Sequence, residues 1–364
     1  DGERLAVLLY TSGTSGRPKG AMLPVRALLA NLAQLARLEP PPLTPEDRIL
    51  LPLPLFHIFG LNAGLGMALY FGATVVLTGR FDPAESLRTI ADEQVSVVVG
   101  APLEFAQWAG QPGAAQAFAG VRYALSGSAP LTAELVSTYA GFGVDLFEGY
   151  GLTEAAPVVA VNLVPAEAGA GWAEPKPGSV GRPLPGLEVR LLDSDGEEVE
   201  PGDLGTLVVR GPNLFTGYWP DGSGGPDPDG WFATGDLAVA DDDGDLYLVG
   251  RRGDLVLVNG FNVYPAEVEA VFGKLPGVRE VAVLGVPSAE AGSDLVVAYV
   301  VAEPGAVLDP EALIEQASSS LARFKLPRQL IEVDTLPHTA TGKVMKWRLR
   351  TAADGPVTDE SADR

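Results

Sequence analysis

Not one of the 364 residues is cysteine, which excludes disulfides, thiolate metal centres and a cysteine nucleophile. Histidine is nearly as scarce, and with only His57 and His338 no zinc site built on imidazoles is expected. No uninterrupted apolar stretch is long enough to span a bilayer, and the opening Asp1-Gly2-Glu3-Arg4 does not read as a signal peptide. Positive charge is short as well: 25 basic residues face 47 acidic ones, a formal net charge of −22. Such a surface repels nucleic acid and anionic lipid, so neither is expected as a partner. What is present, 46% hydrophobic and 7% aromatic residues, describes a globular chain long enough for one large core and a second domain. The expectation is a cytoplasmic protein acting on small molecules, with anionic ones entering through local positive spots such as Arg17 and Lys19.

Against that background one stretch is dense in donors. Tyr10-Thr-Ser-Gly-Thr-Ser-Gly-Arg-Pro-Lys-Gly20 follows the apolar run 5–9, which reads as a short buried strand, and packs three glycines, four aliphatic hydroxyls and two cations into eleven residues. Glycines turn backbone N–H groups toward a common point, while hydroxyls and cations add donors and charge, as a polyphosphate grip needs. It is not a Walker A loop: Gly13 and Gly16 are too close, and Lys19 sits between Pro18 and Gly20.

The remaining pattern implies an α/β chain. Residues 24–38 read as an amphipathic helix with proline in its first turn. The proline-broken run 50–55 reads as an edge or loop approach. Strands over 73–77, 95–99, 123–126 and 144–147 alternate with helices over 83–93, 102–109 and 132–141, which predicts a helix-covered parallel sheet with ligands at its strand ends. From 178 to 250, short β runs between turn clusters predict a small antiparallel barrel-like subdomain, with residues 220–230 a mobile surface loop. Beyond the charged joint at 250–254, a compact α+β segment is expected: strands over 254–258, 278–286 and 295–301, and helices over 265–274, 310–321 and 344–350. The division is thus a core over 1–250, a second C-terminal unit over 251–350, and an acidic disordered tail over 351–364.

Singly, the other motifs are weak. Ser126-Gly-Ser-Ala-Pro130 is small and backbone-rich, and Tyr150-Gly-Leu-Thr-Glu154 alone is a strand-to-loop turn. Thr234-Gly-Asp236 alone is a structural aspartate, His57 in Leu55-Phe-His-Ile-Phe-Gly60 a satisfied core histidine, and Lys343 a solvated surface lysine. Their order and spacing together resemble the adenylate-forming superfamily of acyl- and aryl-CoA synthetases, peptide-synthetase adenylation domains and luciferases, closest to fatty-acid–CoA ligases. The resemblance runs from Leu5 to Arg350, and it makes 1–250 an adenylation core and 251–350 a mobile C-terminal lid.

That resemblance implies ATP, Mg²⁺ and CoA as cofactors and a small carboxylic acid as substrate, joined through an acyl-AMP with release of pyrophosphate. Thr11, Ser12, Gly13, Thr14, Ser15, Gly16 and Lys19 would clamp the β- and γ-phosphates. Gly127, Ser128, Ala129, Tyr150 and Gly151 would flank the adenine. Thr153 would bond a phosphate oxygen, Glu154 hold Mg²⁺, Asp236 chelate the ribose hydroxyls and Arg251 contact the nucleotide. Lys343 would be the catalytic lysine; Phe56, His57, Phe59 and Gly100 would line the acyl pocket, with His57 as gate. Gly253 stands at the hinge, where the family carries lysine or aspartate, and predicts a looser joint. Gly260 would belong to the pantetheine tunnel. Gly149 stands where malonate-specific members carry arginine, so an apolar monocarboxylic acid is expected. A peptide-synthetase domain would need an aspartate near Phe56-His57, and none stands there. A luciferase-like oxygenase and an inactive nucleotide-binding fragment stay open. The family carries a folded segment ahead of the phosphate loop, which here begins ten residues in. That segment, or a second copy of the chain, is a further partner to consider.

Overall fold

The computed structural model describes residues 1–11, 18–166, 171–258, 260–287, 294–339 and 342–353. The expected phosphate contacts Ser12, Gly13, Thr14, Ser15 and Gly16, with Arg17, lie outside the described residues, as does most of the acidic tail. Strands β1 (Leu5–Thr11) and β2 (Lys19–Pro24) form an antiparallel hairpin whose last pair is Thr11 with Lys19. The apolar run at 5–9 is therefore not the buried strand expected. Among the described residues β1 pairs with β2 alone, and Leu5 is 45% exposed.

Helix α1 (Val25–Leu35) starts from Pro24 in extended conformation and turns Leu32 and Leu35 into the core. Next come β3 (Arg48–Leu51), a π-helical turn over Phe59–Gly66 running into α2 (Met67–Phe71), β4 (Thr74–Leu77), α3 (Pro83–Asp92) and β5 (Val97–Gly100). They are followed by α4 (Pro102–Ala109), α5 (Ala114–Phe118), β6 (Tyr123–Ser126), α6 (Ala133–Gly141), β7 (Asp145–Gly151), β8 (Val158–Val161) and β9 (Arg182–Pro183). The strands form one seven-stranded sheet in the order β4-β3-β5-β6-β7-β8-β9. Its first five strands are parallel and the last two antiparallel.

Residues 50–51, expected at an edge or loop, lie in β3 between β4 and β5, with Leu50 fully buried. Pro52 and Pro54 fall just past the strand, so their missing N–H groups cost the ladder nothing. Behind the sheet, Phe105, Trp108, Phe118 and Tyr139 meet edge-to-face at centroid distances of 5.1–5.8 Å. Each such pair adds about 0.5–1.5 kcal/mol beyond its area burial.

An open antiparallel sheet follows: β10 (Glu188–Leu192), β11 (Leu204–Arg210), β12 (Trp231–Ala240) and β13 (Leu246–Arg251), paired in that order. A 3₁₀ turn, Arg252–Asp254, leads into the hairpin β14 (Val256–Val258) and β15 (Phe261–Val263). Helix α7 (Pro265–Phe272), β16 (Val278–Pro287), β17 (Asp294–Ala302), α8 (Pro310–Ala317), β18 (Gln329–Glu332) and α9 (Lys346–Ala353) complete the chain. Two apolar clusters draw only on residues 256–349, and three draw only on residues before 250. Among the described residues no helix is long and apolar enough to cross a membrane.

Candidate active site

Strand β3 is followed in the sheet by β4 on one side and β5 on the other, so the chain changes direction there, and ligands of open α/β sheets bind at such points. Segments leaving β3, β6 and β7 line one cavity of about 870 Å³. Its apolar wall draws on two packed clusters, one giving Leu35, Phe59, Met67, Tyr123, Leu125 and Val161 and the other Ile58, Tyr150 and Phe232. Its polar part carries Thr11, Lys19, Thr153, Glu154, Arg251 and Lys343. Glu154 is the only carboxylate among the described lining residues.

Strand β7 runs on through Gly149, Tyr150 and Gly151, pairing Gly149 with Val161 of β8, where a loop was expected. Only beyond it does the chain turn, in the 3₁₀ segment Thr153–Ala155. Glu154 is 9% exposed, and Tyr218 Oη donates to its Oε1 at 2.5 Å. The Tyr150 hydroxyl donates to Asp236 Oδ2 at 2.5 Å, and Arg251 Nε to Asp236 Oδ1 at 3.0 Å. Burial, with the Asp236 charge beside it, pushes the Tyr150 phenol well above its ordinary pKa, so it stays a donor. Both Asp236 oxygens are engaged by these lining side chains; Asp236 itself, expected at the ribose, is buried behind the lining, whereas Thr234 and Gly235 before it reach the cavity.

The segment after β6 brings Gly127 and Ser128 to the cavity wall. Ser128 has φ +76°, a left-handed conformation costing a side-chain-bearing residue about 1–2 kcal/mol. Ala129 and Gly100, both expected at the site, are not in the lining. Gly100 ends β5 with the Glu104 carboxylate packed where its side chain would stand. Glu104 Oε2 accepts from the Ala101 N–H at 2.7 Å, closing the first turn of α4.

Lys343 arrives from the C-terminal part. Its turn is closed by the Thr339 N–H to the Lys343 carbonyl at 2.8 Å and by the Lys343 N–H to Thr339 Oγ1 at 3.1 Å. The side chain opens onto the cavity and is exposed there. Partial desolvation by the surrounding protein, with the Arg251 charge beside it, lowers its pKa from the ordinary lysine value. His57 also lines the cavity, half-buried, its pKa lowered by burial and by the Lys343 charge. The Phe59 N–H donates to His57 Nδ1 at 3.3 Å, so the neutral ring carries its proton on Nε2. Phe56 and Phe59 line the same space, with Phe56 72% exposed. Gly253 lines it from the joint, whereas Gly260 sits at the β14–β15 turn with φ +83° and does not.

Sequence reasoning missed several lining residues: Tyr218, Arg252, Thr339 and the apolar Met67, Tyr123 and Val158. For Tyr218 a signal existed, an aromatic between Gly217 and Trp219 in an otherwise Gly- and Pro-rich stretch. The apolar ones look like ordinary core in sequence, which they also are. The other acidic cluster of the described residues, Asp241, Asp243 and Asp245, is filled by Lys176 Nζ at 2.6, 2.7 and 3.0 Å.

Comparison with known proteins gives consistent matches. The AMP-binding enzyme model matches residues 1–219, and the AMP-binding enzyme C-terminal domain model matches residues 267–343. The indoleacetate–CoA ligase of Aromatoleum aromaticum is 38% identical over 347 residues, covering 94% of this chain and 66% of that protein. A long-chain-fatty-acid–CoA ligase of Bacillus subtilis is 35% identical, covering 95% and 61% respectively. The chain thus spans just under two thirds of the length of these relatives. Among solved structures, ATP-bound MatB from Rhodopseudomonas palustris superposes with a TM-score of 0.88 at 35% identity, covering 97% of this chain and 69% of that one.

Proposed function

Because the chain belongs to the AMP-binding enzyme family, we propose that it is the catalytic part of an ATP-dependent carboxylic acid–CoA ligase. One observation carries the reading: Lys343, Thr153, Glu154 and Tyr150 share a single cavity with an extensive apolar wall. In the first step the acid's carboxylate attacks the α-phosphorus of ATP, forming acyl-AMP and expelling pyrophosphate. Negative charge gathers at the phosphorus, and the Lys343 ammonium at the cavity stabilises it there. Thr11, Lys19 and the loop between them grip the leaving phosphates. The Tyr150 ring and the Gly127–Ser128 backbone flank the adenine, and Arg251 contacts the nucleotide. Asp236 acts chiefly by fixing Tyr150 and Arg251, with any ribose contact made through its remaining lone pairs.

Magnesium suits the hard oxygen donors Glu154 and Thr153, since it binds through one or two carboxylates together with substrate phosphates. When bound it would neutralise charge between those phosphates. In the second step the thiol of CoA attacks the acyl carbonyl and releases AMP. His57 acts by position, holding the carboxylate end of the acyl site and yielding to the thiol. The C-terminal part, residues 251–350, would swing about Gly253 between the two steps, withdrawing Lys343 and bringing the Gly260 turn toward the thiol's path.

The cationic residues of the described lining are Lys19, Arg251, Arg252 and Lys343, and none comes from the stretches 35–67 and 123–163 that supply most of the apolar wall. A second carboxylate on the substrate would therefore be uncompensated, which favours a monocarboxylic acid with a fatty or aromatic tail. The ligases named for indoleacetate and for long-chain fatty acids bracket that range. No carboxylate besides Glu154 stands in the described lining to receive an amino acid's ammonium, which favours a ligase over a peptide-synthetase domain. The test is a panel of carboxylic acids read by pyrophosphate release, with and without CoA. Acid-dependent pyrophosphate and CoA-dependent AMP are the expected result. ATP binding without either would overturn the assignment.

A further inference from the structure

Tyr218 belongs to none of the motifs that compose the site, yet it touches two of the site's charged groups. Its hydroxyl donates to Glu154 Oε1 at 2.5 Å, and Lys19 Nζ stands 5.0 Å from its ring centre. The ring itself is tightly placed. The Tyr218 N–H donates to the Ser223 carbonyl at 2.9 Å, and Phe215 meets the ring edge-on at 5.1 Å. Gly224, at φ +66°, passes so close that a Cβ there would stand 3.1 Å from Tyr218 Cδ2. The Trp219 N–H donates to the Gly20 carbonyl at 2.8 Å, and Ala21 bridges to Tyr218, which ties the segment to β2 as it leaves the phosphate loop.

We propose that Tyr218 is a positioning residue that couples the metal-holding carboxylate to the phosphate grip. Its hydroxyl fixes which oxygen of Glu154 is left for the metal, and its ring fixes Lys19 at the cavity. The inference rests on the reading of Glu154 as the magnesium ligand. A donor of this kind orients the ligating carboxylate, and losing it typically costs about 10–100-fold in metal affinity.

The experiment is ATP binding by the full chain with no carboxylic acid present, by calorimetry, in EDTA and across a Mn²⁺ titration. Tyr218→Phe keeps the ring under Lys19, so metal-free ATP affinity should hold within about twofold while Mn²⁺ affinity of the ATP complex falls about tenfold or more. Tyr218→Leu should lower metal-free ATP affinity as well, because Lys19 loses the ring. Thermal unfolding of both variants, compared with the parent, separates these effects from misfolding, and the milder Phe variant decides the matter if the Leu variant does not fold. Unchanged or tighter Mn²⁺ binding in Tyr218→Phe, with Glu154→Gln abolishing it, overturns the proposal alone. Unchanged Mn²⁺ binding in Glu154→Gln overturns the metal assignment beneath it.

Discussion

Glu148 of β7 is 8% exposed, and its Oε1 accepts from the Leu131 N–H at 3.2 Å. Burial, only partly offset by that N–H, pushes its carboxyl up to about 7. Glu104 at the head of α4 is pushed to about 7 for the same reason. An acid whose folded pKa lies above its unfolded one keeps its proton better folded than unfolded. Between the two values the native state binds more protons, so stability falls as pH rises from about 4.5 to about 7, by up to ~1.4 kcal/mol per pH unit and group. Glu148→Gln keeps the acceptor and removes the titration. Its stability relative to the parent, from urea midpoints at pH 5 and pH 7.5, should therefore rise with pH. A constant difference would refute a proton held at Glu148. None of this was legible in the sequence, where Glu148 reads as one acidic residue among 47.

At the scale of elements, the turn carrying His57 depends on a close approach. The His57 N–H donates to the Pro54 carbonyl at 3.1 Å, and a Cβ on Gly60 would stand 2.6 Å from that same oxygen. Gly60→Ala should push the turn off its position at the mouth of the π-helical segment. Activity with any acid accepted by the parent should fall roughly tenfold or more for a sub-ångström to 1 Å displacement. Tm should fall by only a few degrees, as expected for about 1 kcal/mol. Equal activity would mean that the turn does not need this register. At the joint the opposite holds: Gly253 has open space where a Cβ would go and no positive φ, so Gly253→Asp is sterically free. The two half-reactions, pyrophosphate release and thioester formation, should change rate with the Asp variant while Tm stays within a few degrees. If both rates match the parent, the loose-hinge idea fails.

The same elements show why some of the fold was readable and some was not. Strand β5, Val97–Gly100, is buried on both faces, and its apolar run is visible without help. Strand β3 is nearly as buried, but Pro52 and Pro54 just past its end mask it, because a sequence pattern does not say on which side of a proline the ladder ends. The π-helical segment Phe59–Gly66 has the glycines of a loop and the hydrogen bonds of a helix. Lys343 and Arg251 were legible as motif residues, whereas Tyr218 reaches Glu154 across 64 positions and only tertiary packing joins them.

For the whole molecule the dominant fact is charge. With a net −22 spread over the surface, an approaching nucleotide meets repulsion before it meets Lys19, Arg251 and Lys343. The association rate of MgATP should therefore rise as salt is added from about 0.01 to 0.15 M, while the Debye length shrinks from about 30 to about 8 Å. Stopped-flow mixing at constant magnesium would measure it. A rate that falls with salt would mean that the local cations already outweigh the global field.

Lys176 has a consequence for such experiments. Its ammonium lies within 3.0 Å of Asp241, Asp243 and Asp245, all three of which are covalently joined to it through the chain. A tethered cation competes at an effective concentration on the order of millimolar. A free divalent ion must evict it and leave a lysine charge unpaired, so the β12–β13 turn carries its own counter-ion. Metal added at modest concentration then reports on the nucleotide end of the molecule, with little background from this second acidic cluster.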